Sequence, residues 1–267
     1  MFSKFRKKKQ EIDEAAIPSV VLITTAFLRE KGFSIEYIFR IPGRVSDVEE
    51  LLQKLSKNEE VDLSSYNIHI IASVLKSFLR NYDPPLIVYK LYKPFLKIQK
   101  KGSDKKNDQL VKLLLLLPDE HQLVLKHVFE FLAYIAQHSD KNLMTASNLA
   151  TVFGPNILRL KKSNPKRDAK DFDLIRGLVQ YIIENNKEIF SGLEKFRHEI
   201  KSKQKSKFKA NRNLSTSDAA EIKTGRLTKS QSLNPPHSGI LQPDFSEKDK
   251  EVLFKNRKLS SDGDDDV

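Results

Sequence analysis

Cysteine is absent from this chain of 267 residues. Its absence excludes disulfides, cysteine-ligated zinc and thiol catalysis, and it is compatible with a reducing cytosol. Long apolar runs are absent too, because the longest, from Leu110 to Pro118, is far shorter than the roughly 20 residues that span a bilayer. No apolar segment follows the basic start MFSKFRKKKQ at once, so we do not expect a secretory signal, and Phe2 stands where N-myristoylation needs glycine. We therefore expect a cytoplasmic protein.

The short motifs of common catalytic and nucleotide sites are also missing. The chain contains no GxxxxGK[ST] phosphate loop, no GxSxG elbow and no HExxH pair. Its histidines are scattered and have no cysteine partner, so we interpret them as surface residues of helices. They are His69, His121, His127, His138, His198 and His237. The sequence therefore predicts neither a metal site nor a cofactor.

Positive charge predominates in the composition. Lysine and arginine number 47 against 35 acidic residues, a net charge of +12. This balance favours an acidic partner, such as nucleic acid, anionic lipid or an acidic protein face. Stacking aromatics are sparse in the basic runs KFRKKK and KSKQKSKFK, so specific recognition of nucleic acid is not expected. The basic start and the run near Lys201 suggest the hypothesis of peripheral contact with anionic membranes.

Apolar residues recur at helical spacing from Ile17 to about Phe190, and no sustained alternation indicates strands. This pattern predicts an all-α domain of about eight helices. Ser46 is placed as the N-cap of the second helix, and Gly154–Pro155 is expected to stop the seventh. The predicted helices lie at about 17–32, 46–58, 67–81, 86–99, 107–117, 119–137, 145–153 and 171–190.

Three compositions divide the chain into segments. Residues 1–16 form a basic lead, residues 17–195 the helical domain, and residues 196–267 a tail rich in Lys, Ser and Asp. Such a tail cannot bury enough apolar surface to offset chain entropy, so we expect it to be disordered. The last helix can extend over residues 191–209 and so into the start of this tail.

Three polar patches interrupt the helical stripes. Arg40 follows the bulky Ile38 and Phe39 on a short loop, while Lys76 and Arg80 stand one helical turn apart on one face. Asn156 lies in the third patch, at the end of the stretch MTASNLATVFGPNIL. Each patch also has a purely structural interpretation, as a loop salt bridge, a solvated face or a helix cap.

The three blocks YIFRIPG, LKSFLRNYDPPL and MTASNLATVFGPNIL resemble, in this order and spacing, the signature blocks of the RhoGAP domain. The resemblance covers about residues 17–190 and includes the opening IPSVV. It implies an all-helical fold and a GTPase-activating protein for a Rho-family small GTPase in its GTP-bound form. It also implies that Arg40 is a catalytic arginine finger, that Lys76 and Arg80 bind the GTPase, and that Asn156 contacts the GTPase or steadies the finger loop.

The chemistry of the finger agrees with the residue type. GTP hydrolysis spreads negative charge over the transferring phosphoryl group, and a guanidinium is permanently charged with planar paired donors. The activator would act in trans on its partner's site and would not itself be the enzyme.

Two residues of the loop depart from the family pattern. The family usually has glycine where Tyr37 stands, and it often has serine where Pro42 stands. These departures leave an alternative open. The chain could be a binding module of the same fold that grips a Rho-type GTPase without accelerating hydrolysis.

Overall fold

The computed structural model describes residues 16–101, 105–162 and 164–217. Over these ranges it contains ten α-helices, one π-helical turn and two short 3₁₀ turns, with no strand. The predicted all-α fold is therefore confirmed. The helices are α1 (Ser19–Phe27), α2 (Val45–Ser56), α3 (Ile68–Asn81), α4 (Tyr92–Lys101), α5 (Lys106–Leu114), α6 (Asp119–Gln137), α7 (Ser139–Asn142), α8 (Ala146–Ile157), α9 (Pro165–Glu184) and α10 (Asn186–Ser217).

Side-chain caps fix the starts of three of these helices. The Asn67 side chain accepts from the backbone N–H of His69 ahead of α3, and Thr145 accepts from Asn148 ahead of α8. Asn164 caps α9, where Pro165 occupies the first turn. These side chains satisfy backbone donors that have no partner inside a helix, which explains why the helices begin at these residues.

The core lies where α3, α6, α8 and α9 meet. Helix α8 packs against α9, α3 and α6, and α3 also packs against α1 and α2. Leu75, Phe131 and Phe153 are fully buried there. The two aromatic rings leave a space between α6 and α8 that a third ring enters from the loop before α2, and this loop carries Arg40.

The expected N-cap at Ser46 is wrong. Helix α2 already begins at Val45, and Arg44 holds the N-cap position without a side-chain cap. The Ser46 hydroxyl instead donates to Asp47 Oδ1 at 3.1 Å. Asp47 also pairs with Arg44 at 2.7 Å, so its carboxylate occupies the first turn and compensates for the missing cap.

The expected stop at Gly154–Pro155 is wrong as well. Helix α8 continues through Pro155 to Ile157, and the N–H of Leu158 bonds to the Gly154 carbonyl at 2.9 Å. A proline removes only one donor when it lies in a last turn with its ring exposed. Gly154 serves close packing instead, because a Cβ there would lie 2.9 Å from Ile175 Cγ2 of α9.

The segment predicted as one helix over 171–190 is two helices, α9 and α10. The break falls at Asn185, whose side chain donates to the Tyr181 carbonyl at 2.9 Å. The chain divides into two units, residues 1–193 and 194–267, and α10 continues past the expected domain end at residue 195 as far as Ser217. The rest of the predicted tail and the basic lead up to residue 15 lie outside the described residues.

Gly43 provides a test of how the loop before α2 meets α3. A Cβ at Gly43 would lie 2.6 Å from the Cα of Ile70, which is backbone and cannot move aside easily. We expect Gly43→Ala to lower the free energy of unfolding by about 1–3 kcal/mol, as overpacked sites do, in a urea titration.

Gly177→Ala is the matched control. It lies inside α9, where the added Cβ would meet the end of the flexible Gln99 side chain. Because alanine is the better helix former, its stability should be unchanged or higher. Equal losses in the two variants would show that the approach of Gly43 to α3 does not limit the loop.

Candidate functional site

The loop of residues 33–44, called the Arg40 loop below, joins the π-helical turn to α2. Ile38 and Phe39 are fully buried, whereas Arg40 is exposed. The Phe39 ring meets Phe153 edge-on at a centroid distance of 4.9 Å and Phe131 at 5.9 Å. Such pairs add to the free energy of area burial. Arg40 is therefore the first residue outside a firmly anchored aromatic side chain.

The backbone around this anchor is left-handed at two non-glycine residues. Tyr37 has φ 55° and Phe39 has φ 71°. Side chains other than glycine rarely adopt this conformation, which costs of order 1–3 kcal/mol and persists only where the surroundings enforce it. Two hydrogen bonds hold the loop in this conformation. The Tyr37 carbonyl accepts from the N–H of Arg40 at 2.8 Å and from the N–H of Ile41 at 3.1 Å.

Asn142 fastens the Arg40 loop to the end of α7. Its carbonyl accepts from the Tyr37 N–H at 2.8 Å, and its side-chain amide donates to the carbonyls of Phe33 at 2.8 Å and Ile135 at 2.9 Å. Its Oδ1 accepts from the Met144 N–H at 2.8 Å. The side chain is fully buried and bonded at each of its polar atoms. The sequence reasoning missed this residue, for which a turn closed by an Asn side chain two residues before Met144 is the local signal.

Lys76 reaches the same loop from α3. Its ammonium donates to the carbonyl oxygen of Phe39, the residue directly before Arg40. Burial lowers the pKa of Lys76 from its ordinary value, and the nearby charge of Arg80 lowers it further. A half-buried ammonium on a backbone carbonyl holds the loop in place, which is a role that the sequence did not indicate.

Arg80 lies one turn further along α3 and contacts the third patch. Its Nε donates to Asn156 Oδ1 at 3.2 Å, and the Asn156 amide donates to the Val152 carbonyl at 3.0 Å. Asn156 is buried and Arg80 exposed. Arg159, which the sequence analysis also missed, donates from Nη2 to the Tyr82 carbonyl at 2.8 Å. The three predicted patches therefore meet along successive turns of α3.

The site is electropositive. Within the part of the chain that the structure describes, Arg40, Lys76 and Arg80 form no ion pair with a carboxylate. In the same part of the chain the Arg40 guanidinium lies over the Tyr37 ring, with Cζ 5.8 Å from the ring centroid. Its N–H donors can therefore bind an anionic oxygen of another molecule. Lys76 and Arg80 on α3 add two further positive charges to the site.

Apolar side chains surround this cation at the surface. Of the five large hydrophobic residues that are exposed in the described part of the chain, four lie on the Arg40 loop or beside it. They are Tyr37, Ile41, Val45 at the start of α2, and Leu143, which follows Asn142. Val45 is the most exposed of the four, at 69%. Clustered exposed apolar residues are typical of a protein-binding surface.

The described ranges contain neither a metal-ligand cluster nor a membrane-spanning helix. No group of three or more His, Asp or Glu side chains there could hold a metal ion. No helix within those ranges combines the length and the apolar character needed to cross a membrane.

Replacing Asn142 tests its role in the site. Asn142→Ala removes the donor to the Phe33 carbonyl, one of two donors to the Ile135 carbonyl and the acceptor of the buried Met144 N–H, so we expect it to lower the free energy of unfolding by about 1–3 kcal/mol. Asn148→Ala is the control, since it removes one surface hydrogen bond to the Leu143 carbonyl. Chemical denaturation measures both, and a loss no larger for Asn142 than for Asn148 would contradict this role.

Comparison with solved structures places the fold among known domains. The BH domain from Graf, the GTPase regulator associated with focal adhesion kinase, matches with a TM-score of 0.59 and 27% identity, covering 65% of this chain and 93% of that one. Human Rho GTPase activating protein 15 matches with a TM-score of 0.62 at 23% identity, covering 67% of this chain and 87% of that one.

Curated relatives agree with these structures. Rho GTPase-activating protein 68F of Drosophila melanogaster is 36% identical over 179 residues, which are 66% of this chain and 37% of that protein. Human Rho GTPase-activating protein 1 is 32% identical over 179 residues, covering 67% and 40%. For gacY of Dictyostelium discoideum the identity is 34% over 169 residues, covering 62% and 23%. The chain thus spans less than half the length of each of these relatives.

A match to a family model shows which family the chain belongs to. The family model of the RhoGAP domain matches residues 18–162, which is more than half of the 267 residues. The match includes the Arg40 loop, both cations of α3 and Asn156. The resemblance expected from the three sequence blocks is therefore confirmed, and the protein belongs to the RhoGAP domain family.

Proposed function

We propose that the protein stimulates GTP hydrolysis by a Rho-family small GTPase, and that it does so by placing Arg40 in the partner's active site. The observation that carries this proposal is the contrast between Phe39, fully buried, and Arg40, exposed on a loop fixed by Asn142 and Lys76. The curated relatives, which are named Rho GTPase-activating proteins, support the partner class.

The chemistry requires a cation that arrives already oriented. Phosphoryl transfer from GTP develops charge on the oxygens around the transferring group, and a guanidinium can donate to two of them at once. An arginine supplied in trans contributes about 10³–10⁵ in rate, which corresponds to about 4–7 kcal/mol of barrier. Loose placement would lose much of this effect, so the anchored loop suits the task.

The surroundings of Arg40 suit the docking of a GTP-loaded partner. Lys76 and Arg80 add positive charge near the loop, and a bound nucleoside triphosphate with the surface around it is an anionic target. Ile41, Val45 and Leu143 supply apolar area next to the cation. Exposed apolar residues beside an unpaired arginine form the kind of surface in which central contacts carry most binding energy.

In this proposal the chain acts on a site that belongs to its partner. It contributes one arginine and a binding surface, and the nucleotide stays on the GTPase. The protein is then an activator acting in trans, and the GTP-hydrolysing enzyme is the partner. The alternative is a module that binds the GTPase without accelerating hydrolysis, and it differs in a single measurable quantity, the hydrolysis rate of the bound complex.

Arg40→Ala separates the two functions. We expect it to keep the helical fold and most of the affinity for the GTP-loaded GTPase, and to lower the maximal acceleration by about 10²-fold or more, because the guanidinium matters most in the transition state. Single-turnover GTP hydrolysis at saturating activator measures this. Arg40→Lys should recover little, since an ammonium cannot reproduce the planar donors.

Arg44→Ala is the matched control for Arg40→Ala. It removes a second arginine from the same loop, one that is exposed and paired with Asp47. Its maximal rate should stay near that of the unmodified protein. Hydrolysis at the unmodified rate in the Arg40→Ala complex would refute the finger and leave the binding module.

Lys76 offers a second test, because its ammonium holds the Phe39 carbonyl. We expect Lys76→Met, which retains the apolar stem, to lower the maximal rate by about tenfold, since misplacement of a catalytic group by about 1 Å can cost more than that. Arg80→Gln should chiefly raise the activator concentration that gives half-maximal rate. If Lys76→Met changed only that concentration, Lys76 would contact the partner and would not support the loop.

A further inference from the structure

Tyr37 and Arg40 form a contact inside the Arg40 loop. The Cζ atom of Arg40 lies over the Tyr37 ring, 5.8 Å from its centroid. A guanidinium at this distance is attracted by the negative face of an aromatic ring. The Tyr37 side chain is 38% exposed, so neither group is buried away from a docking partner.

The backbone at Tyr37 makes a tyrosine unexpected there. Its φ of 55° is the left-handed conformation, which glycine adopts without strain and which a bulky side chain adopts at a cost. Burial in the core does not fully offset this cost, because Tyr37 remains more than a third exposed. A contact with the exposed guanidinium is therefore the contribution that the ring makes to the loop.

The backbone that carries the ring is also fixed relative to Arg40. The Tyr37 N–H bonds to the Asn142 carbonyl, and the Tyr37 carbonyl accepts from the Arg40 N–H at 2.8 Å. The two residues between them in the chain, Ile38 and Phe39, are fully buried. The Arg40 side chain, in contrast, has rotatable bonds and no carboxylate partner among the described residues. Tyr37 thus presents its ring from a fixed backbone beside a longer side chain that has more rotatable bonds.

We propose that Tyr37 is a positioning residue for Arg40, and that its ring holds the guanidinium in one orientation before a partner arrives. The inference rests on the proposed function of Arg40. Contact with a ring face uses the π surface of the guanidinium and leaves the N–H donors at its edge for phosphoryl oxygens. The side chain then enters the partner's site with fewer conformations to lose.

Three substitutions separate the ring from the backbone. Tyr37→Phe keeps the ring, Tyr37→Leu keeps an apolar side chain in the strained conformation, and Tyr37→Gly removes both the ring and the strain. In single-turnover hydrolysis at saturating activator, we expect Phe to match the unmodified protein. We expect Leu and Gly to lower the maximal rate about three- to fivefold, the size of effect given by an exposed cation–π contact.

A stability measurement distinguishes positioning from support of the fold. Tyr37→Gly should melt within a few degrees of the unmodified protein, because the fit of glycine to the left-handed backbone offsets its greater freedom in the unfolded chain, and yet its maximal rate should fall. For Tyr37→Leu the concentration giving half-maximal rate should stay within about twofold. A loss of maximal rate in Tyr37→Leu that is matched by an equal loss in Tyr37→Phe would overturn the inference, because the ring is still present in Tyr37→Phe.

Two further measurements tell a failure of this inference from a failure of the proposed function. In the Arg40→Ala background, Tyr37→Leu should change the residual rate by less than about 1.5-fold. In the free protein, the NMR shifts of the Arg40 side chain should lose their ring-current displacement in Tyr37→Leu and keep it in Tyr37→Phe.

The outcomes are then distinct. Equal maximal rates for Tyr37→Leu and the unmodified protein, with Arg40→Ala slow, would overturn the positioning role and leave the finger intact. A higher maximal rate for Tyr37→Leu would also overturn it, since the ring would then restrain the arginine. An Arg40→Ala protein as fast as the unmodified one would refute the finger, and the positioning role with it.

Discussion

The burial of the Phe39 ring against Phe131 and Phe153 is the interaction on which the site depends. It joins a loop to α6 and α8, two helices that belong to the centre of the fold. Without this anchor the left-handed residues on the loop would relax, and the carbonyl that Lys76 contacts would move. The position of Arg40 is thus set by core packing, although the residue itself is exposed.

Helix α3 connects this anchor to the rest of the polar surface. Three of its positions, at successive turns, touch different parts of the site: Ser73 accepts from the Gly43 N–H at 2.9 Å, Lys76 holds the Phe39 carbonyl, and Arg80 contacts Asn156. A helix is rigid over this distance, so the loop and the end of α8 keep a constant separation. The two cations can therefore act both on the loop and at the surface.

The sequence predicted the helices well where the apolar period was long, and three motif blocks singled out Arg40, Lys76, Arg80 and Asn156, which the structure brings together along α3. It failed where tertiary contacts outweigh local preference. Pro155 lies within α8 because its ring is exposed and it removes only one backbone donor from the last turn. The roles of Asn142 and Lys76 were not visible either, since each bonds to a backbone carbonyl far away along the chain, and the identity of a residue says nothing about such an acceptor.

The left-handed residues have a consequence for the energetics of encounter. A glycine at Tyr37 or Phe39 would adopt this backbone freely, but it would also give the unfolded chain more conformations to lose. Tyrosine and phenylalanine restrict the unfolded chain instead, and the strain at Phe39 is offset when its ring enters the core. The ordering of this loop therefore belongs to folding, and a partner that meets the folded protein has little loop entropy left to remove. Association of such a surface is governed by collision and orientation, with no slow rearrangement between them.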